Sequence, residues 1–223
     1  MSPIHEGPGS PSTNGLLVTS CIIGGDSGGN GIVLSSGQHA NMIIANNIIG
    51  SYRGALVITN NAAITNNVFF SLFSLNGNGG IGQITDCFVA NNIVFESNTG
   101  ENSSKRSTFN NNLSFGGTPD RLALPPPGDG TNSGQDNIVD QDPKFVNIDL
   151  DLAGGGYHVS FDLHLQDDSP GKGAGTDGTD IGIYGGSSPF DPTVGLPVIQ
   201  QLNTPSIVGR GADLRVTIKA KSN

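Results

Sequence analysis

The chain contains no tryptophan, only two methionines and two cysteines, and ten lysines and arginines among 223 residues. Those ten basic side chains stand against nineteen acidic ones, and a formal net charge of −9 argues against a nucleic acid as partner. No apolar stretch approaches the roughly 18 residues that a membrane-crossing helix requires. The opening "MSPIHEGPGSPSTNG" is polar and rich in Pro and Gly, unlike a secretory leader. Either the protein is intracellular or this is a mature form with its signal peptide removed or trimmed. The wealth of Asn, Gly and Asp and the scarcity of Lys favour the second, and with it an extracellular or cell-surface location. Apolar residues spaced three and four apart, the mark of an amphipathic helix, are not sustained anywhere.

What the sequence does have is Gly, 34 of 223 residues, together with Asn clusters and short β-branched runs such as "GIVLSS" and "ALVITN". It also has a repeat. "VTSCII", "IANNII", "ITNNVF", "VANNIV", "FNNNLS" and "GQDNIV" align on Cys21, Asn47, Asn67, Asn92, Asn112 and Asn137, at spacings of 26, 20, 25, 20 and 25 residues. Three residues before each anchor stand Val18, Ile44, Ile64, Val89, Phe109 and Gly134; one residue after it stand Ile22, Ile48, Val68, Ile93, Leu113 and Ile138. Fixed columns with loops of varying length are the signature of a solenoid built from stacked supersecondary units.

With no helical period, the reading is an all-β, right-handed parallel β-helix of about six to eight rungs, plus a C-terminal β extension. Asn is unfavourable in strand interiors and favoured in turns, so each doublet marks a corner. Stacked about 4.8 Å apart, the second asparagines can hydrogen-bond to one another in a ladder, Asn47, Asn67, Asn92, Asn112 and Asn137, that satisfies polar groups buried at the bend. Cys21 occupies the ladder column of the first rung and Cys87 precedes the fourth anchor. Three rungs separate them by about 14 Å, whereas a disulfide needs Cα atoms within about 7 Å, so two free thiols are expected.

Residues 1–14 read as a flexible lead-in, 15–190 as the β-helix and 191–223 as a C-terminal strand tail. The rungs are interrupted by "SLNGNGGIGQ" and by "GGTPDRLALPPPGDGTNSGQ", whose three consecutive prolines exclude a regular strand. After them "DPKFVN", "LHLQDDSPGKGAGTD" and "DIGIYGG" follow in order. This arrangement resembles the closing segment of bacterial right-handed parallel β-helix repeat proteins of the secreted or cell-surface type. The resemblance covers roughly residues 15 to 186 and implies the fold. It leaves activity open, because such proteins include polysaccharide lyases and hydrolases as well as surface proteins. Where those proteins commonly place an acidic residue after D-I-G-x-Y, this chain has Gly185. The segment "LPVIQQLNTPSIVGRGADLRVTIKAKSN" resembles tails on surface proteins of Bacteroidetes-type bacteria.

A polysaccharide-degrading β-helix needs carboxylates that hold Ca²⁺, or a base beside the substrate, gathered on one outward face. The candidates are Arg53, Asp86, Glu96, Lys105, Arg106, Asp120 and Arg121. Of these, Asp86 and Arg106 share a column in adjacent rungs; the plainer reading of that pair is a surface ion pair. His158, Asp162 and His164 share a parity and could bind a metal if their strand is regular, although solvated strand positions are the plainer reading. "DQD" at 140–142, "DLD" at 149–151 and "TDGTD" at 176–180 could offer oxygens to Ca²⁺, but none has an established ligand spacing, and turns account for them. No cofactor or metal is assigned, and no complete catalytic set stands out.

The charge is unevenly spread. Residues 1–209 hold 18 acidic and 6 basic side chains, a balance of −12; residues 210–223 hold four basic against one acidic, a balance of +3. In "DLRVTIKAK" Leu214, Val216, Ile218 and Ala220 alternate with Arg215, Thr217, Lys219 and Lys221, a strand with one apolar and one basic face. The columns one and two residues after the anchor are both apolar, and because neighbouring strand residues point opposite ways, one of them must face outward and be covered. These features lead to the expectation of a non-catalytic structural protein that associates head to tail with other copies of itself, capable of propagating as a filament, through Leu214, Arg215, Val216, Ile218 and Lys219. The competing expectations are a tail that folds back on its own solenoid or belongs to a further domain, and a polysaccharide-binding or lyase-like β-helix.

Overall fold

The computed structural model describes residues 4–5, 15–24, 30–34, 41–50, 54–58, 61–70, 81–99, 104–117, 121–149, 157–191, 198–203 and 217–221. Two compact units divide the chain, Met1–Phe190 and Asp191–Asn223. The first is a parallel β-helix. No α-helix occurs among the described residues, and none is long and apolar enough to cross a membrane.

Three stacked parallel sheets form its walls. The six-stranded sheet runs β2 (Leu17–Thr19), β5 (Met42–Ala45), β8 (Ala62–Thr65), β11 (Phe88–Ala90), β13 (Thr108–Asn110) and β15 (Ser133–Gln135). The five-stranded sheet contains β3 (Ile22–Gly24), β6 (Ile48–Gly50), β9 (Val68–Phe70), β12 (Ile93–Phe95) and β14 (Leu113–Phe115). The four-stranded sheet contains β1 (Ile4–His5), β4 (Asn30–Leu34), β7 (Gly54–Ile58) and β10 (Ile81–Ile84). Within the lead-in, therefore, Ile4 and His5 add a parallel strand against Ile32 and Val33.

The register repeats the alignment read in the sequence: Val18 pairs with Ile44, Ile44 with Ile64, Ile64 with Val89, and Val89 with Phe109. That column points inward, and so does the column two after the anchor. Val18, Ile44, Ile64, Val89 and Phe109 pack with Ile23, Ile49, Phe69 and Val94 in one buried core. Leu124, from the proline-containing loop, reaches the same core, and Leu122 beside it is buried. A loop that cannot continue a sheet thus supplies apolar side chains to the solenoid's interior.

Between the six- and five-stranded sheets the chain turns through the asparagine doublet. Its first member is held at positive φ in every rung (Ser20 52°, Asn46 52°, Asn66 55°, Asn91 58°, Asn111 51°, Asp136 55°). Asn and Asp tolerate this left-handed geometry better than other side chains, which explains the residue choice. The second member forms the ladder. Backbone N and Nδ2 of Asn47 both donate to Asn67 Oδ1 at 3.0 Å; Asn67 donates likewise to Asn92, Asn92 to Asn112, and Asn112 to Asn137. Every ladder Nδ2 also donates back to a carbonyl of the preceding rung, as Asn92 does to Ile64 at 2.8 Å. Four of the five ladder residues, Asn47, Asn67, Asn92 and Asn112, are fully buried, yet each is satisfied.

The outward column of the five-stranded sheet, Ile48, Val68, Ile93 and Leu113, does not meet solvent. It packs with Phe145, Phe161, Leu163, Leu165, Ile181, Ile183 and Phe190 in a second buried cluster. The covering segment includes β16 (Phe145–Asn147), paired antiparallel with β17 (Asp162–Leu165), and a run of turns to Phe190. The apolar column that the sequence leaves in need of a cover is therefore covered within the same chain. A different segment does it from the one expected to reach across from another copy.

In the second unit β18 (Val198–Asn203) pairs antiparallel with β19 (Thr217–Lys221). Ile199 stands opposite Ala220 and Leu202 opposite Ile218. Leu214, Arg215 and Val216 lie outside the described residues.

Candidate functional site

At a second corner, where the chain enters the six-stranded sheet, another column of positive-φ residues is stacked: Asn41 (54°), Asn61 (51°), Asp86 (54°) and Arg106 (47°). The stacking brings Asp86 and Arg106 together in neighbouring rungs. Arg106 Nε lies 2.7 Å from Asp86 Oδ1 and its Nη2 lies 2.8 Å from Oδ2, a bidentate pair. The Arg106 guanidinium, first by this hydrogen bonding, holds the Asp86 carboxyl below the usual carboxylate range. Arg106 is exposed, Asp86 is half-buried and each satisfies the other, so the pair is an ion pair on the surface; the column they share was legible in the repeat alignment.

The remaining charged candidates do not join it. Glu96, itself at φ 50°, lies over Gly116, where a Cβ would come within 2.4 Å of its carboxylate. Burial and then the nearby Asp142 push its carboxyl up. Arg121 offers its backbone carbonyl to Thr99, from whose N it accepts at 2.9 Å. Lys105 forms an isolated parallel bridge with Thr85. Arg53 and Asp120 lie outside the described residues.

The histidines are held apart by the local chain path. Residues 159 and 160 form a turn and β17 begins only at Asp162, so His158 is not part of the strand that carries His164. His158 Nδ1 pairs with Ser160 Oγ at 2.7 Å, whereas His164 Nδ1 pairs with Asp162 Oδ1 at 2.6 Å and its ring stacks on Tyr184 at 3.6 Å between centroids. The loops at 140–142 and 176–180 are likewise occupied by local bonds; residues 150 and 151 of the third acidic loop lie outside the described residues. Asp177 Oδ1 accepts from Thr179 N and Oγ1, Asp142 Oδ1 accepts from Lys144 N, and Asp180 accepts from Gly173 N while pairing with Lys172. These are side-chain turns that Asp forms readily, and no group of three metal-ligating side chains occurs among the described residues.

The two thiols are free. Cys21 is exposed in the ladder column; Cys87 is buried at the other corner, and its thiol is pushed up to about 11 by burial, which leaves it protonated and unreactive near neutrality.

The first asparagine of each doublet has a role that the alignment did not suggest. Asn46 Nδ2 donates to the carbonyls of Ile183 and Gly185 at 2.9 and 3.0 Å. Asn66 donates to Gly182, Asn111 to Ala174, and Asn91 exchanges two hydrogen bonds with Thr176. This column ties down "GKGAGTDGTDIGIYGG", so the closing motifs serve packing. Ser169 Oγ donates to the Pro143 carbonyl at 2.6 Å, linking the S-P and D-P steps. At Gly185 a Cβ would lie 1.8 Å from the Asp180 carbonyl oxygen, so this backbone has no room for a side chain at that position.

A surface also emerges on the outer face of the six-stranded sheet. In register across it stand Leu17, Ile43, Ala63, Phe88, Thr108 and Ser133, and two residues further on Thr19, Ala45, Thr65, Ala90, Asn110 and Gln135. None of the twelve is charged. Leu17, Ile43 and Phe88 are 61%, 45% and 44% exposed. The signal was present in the sequence as the column four before the anchor, apolar in its first four rungs. Comparisons with protein-family models, curated proteins and solved structures find no match to this chain.

Proposed function

We propose that this is a non-catalytic structural β-helix of the extracellular or cell-surface type, which associates with further copies of itself head to tail through its C-terminal strands. The observation that carries the reading is the tail. Two antiparallel strands alone are marginally stable in water and gain stability by laying an apolar face on another surface. Here apolar residues stand opposite one another, Ile199 with Ala220 and Leu202 with Ile218. The final fourteen residues carry a balance of +3 against −12 for the rest of the chain, which favours an acidic partner surface. Light scattering on the full chain and on a chain lacking residues 196–223 tests it. The full chain is expected to increase in mass with concentration and the shortened one to remain monomeric; two monomers at high concentration refute the reading.

The Asp86–Arg106 pair favours a second reading, a polysaccharide-binding or lyase-like surface, because a uronate carboxylate could take the place of Asp86 on the Arg106 guanidinium. Incubation with uronate polymers distinguishes the two: unsaturated product supports lyase action, and its absence together with concentration-dependent mass supports the structural role.

A further inference from the structure

The β-helix has two outward apolar columns and treats them differently. That of the five-stranded sheet is buried under residues 145–148 and 157–190. That of the six-stranded sheet, Leu17, Ile43, Ala63 and Phe88, remains open as a ridge crossing four strands, about 14 Å long at one strand spacing per step. Beside it run Thr19, Ala45, Thr65 and Ala90, small and uncharged residues, the last of them buried.

We propose that this ridge is the surface on which the C-terminal hairpin of a second copy lies, sheet face on sheet face. The proposal rests on the self-association reading above and names the receiving site for it. A six-residue strand such as β18 spans about 20 Å, enough to cover the ridge from Leu17 to Phe88. The apolar pairs Ile199–Ala220 and Leu202–Ile218 give the hairpin residues suited to it. Charge selects this occupant over a ridge-to-ridge dimer. Two such faces would bring together two solenoids, residues 1–190, that each carry a balance of −11, whereas the tail brings Arg210, Arg215, Lys219 and Lys221 to that acidic body. Each copy then presents one ridge and one hairpin, a heterologous contact that propagates. The patch is small compared with stable interfaces, which bury about 800 Å² per partner, so association is weak and depends on high protein concentration.

The test uses the full chain with Ile43→Lys or Phe88→Lys. Both side chains are exposed, so the unfolding midpoint should stay close to that of the unsubstituted chain, which confirms that the fold is intact. Light scattering over a concentration series is expected to show the half-association concentration raised at least tenfold by either substitution. Lys219→Glu with Lys221→Glu should weaken association in the same direction. If the full chain associates and the ridge variants associate equally well, the ridge is the wrong surface while the self-association reading survives. If the full chain stays monomeric throughout, both fail. If the ridge variants instead lose retention on an insoluble neutral polysaccharide with no change in mass, the occupant is a sugar surface and the proposal is overturned.

Discussion

A doublet of asparagines does two jobs at one corner, and the jobs divide by residue. The first takes the positive φ that lets the strand turn and projects its amide outward onto the covering segment; the second turns its amide inward along the solenoid axis. The ladder has a direction, since each rung donates both a backbone N–H and an Nδ2 to the Oδ1 of the next. Replacing Asn92 with Ala therefore removes two hydrogen bonds from buried Asn67 and leaves its backbone N–H without its acceptor, while its Nδ2 keeps the carbonyls of Ile44 and Thr65. An orphaned buried donor costs about 1–3 kcal/mol, so Asn92→Ala is expected to lower unfolding stability by about 3 kcal/mol in urea denaturation. Asn137→Ala removes the same two bonds from Asn112, but at the half-buried end, where water can replace them, and should cost less. Equal losses at the two positions would mean that the ladder's burial is not what gives it value.

Among the elements, the covering segment is what turns an incomplete solenoid into a stable unit. Phe70 is at its centre, with ring centroids 5.5 Å from Phe95, 6.4 Å from Phe145, 6.1 Å from Tyr157 and 6.3 Å from Phe161. The rings come from two rungs and from both strands' surroundings in the β16–β17 pair, so one side chain joins the β-helix to its cover. Large-to-small substitution in such a site loses both transfer energy and packing. Phe70→Ala is expected to cost about 3–5 kcal/mol and to expose Ile48, Ile93 and Leu113 to a hydrophobic dye. Substituting Val146, 50% exposed on β16, should leave both measurements nearly unchanged.

For the whole molecule, pH acts through carboxylates of opposite behaviour. Arg106, Thr131, Lys144 and Thr179 hydrogen-bond to Asp86, Asp129, Asp168 and Asp177 and hold them below the usual carboxylate range. At Asp162 burial raises the carboxyl, but hydrogen bonds from His164 outweigh it and lower it overall. Groups depressed in the folded state contribute stability above their unfolded pKa and lose it as pH falls through the folded value. Glu96 has the reverse sign: its folded pKa is raised, so its ionisation opposes folding above that value and the penalty disappears on acidification. With five groups against one among the described residues, stability measured by urea unfolding should hold from neutrality to about pH 4, the unperturbed carboxylate range, and fall below it. Glu96→Gln is expected to raise the midpoint at neutral pH and to make no difference in acid. A midpoint rising steadily below that range would contradict the assignment.

Period, strand class and ladder membership all followed from the sequence, because they are local consequences of alternation and of what Asn does at a bend. Val18, Ile44, Ile64, Val89 and Phe109 line the core for that reason, and the Asp86–Arg106 pairing followed from their shared offset. Alternation also showed that one of two apolar columns must face outward. It could not show what would cover it, since the partners lie far along the chain: Asn46 meets Ile183 across 137 residues. Two apolar outward columns of similar character were thus given different fates, Ile48 to Leu113 under residues 145–148 and 157–190 and Leu17 to Phe88 left open. A strand's pattern encodes which residues share a face; only the path of the distant chain decides whether that face is buried.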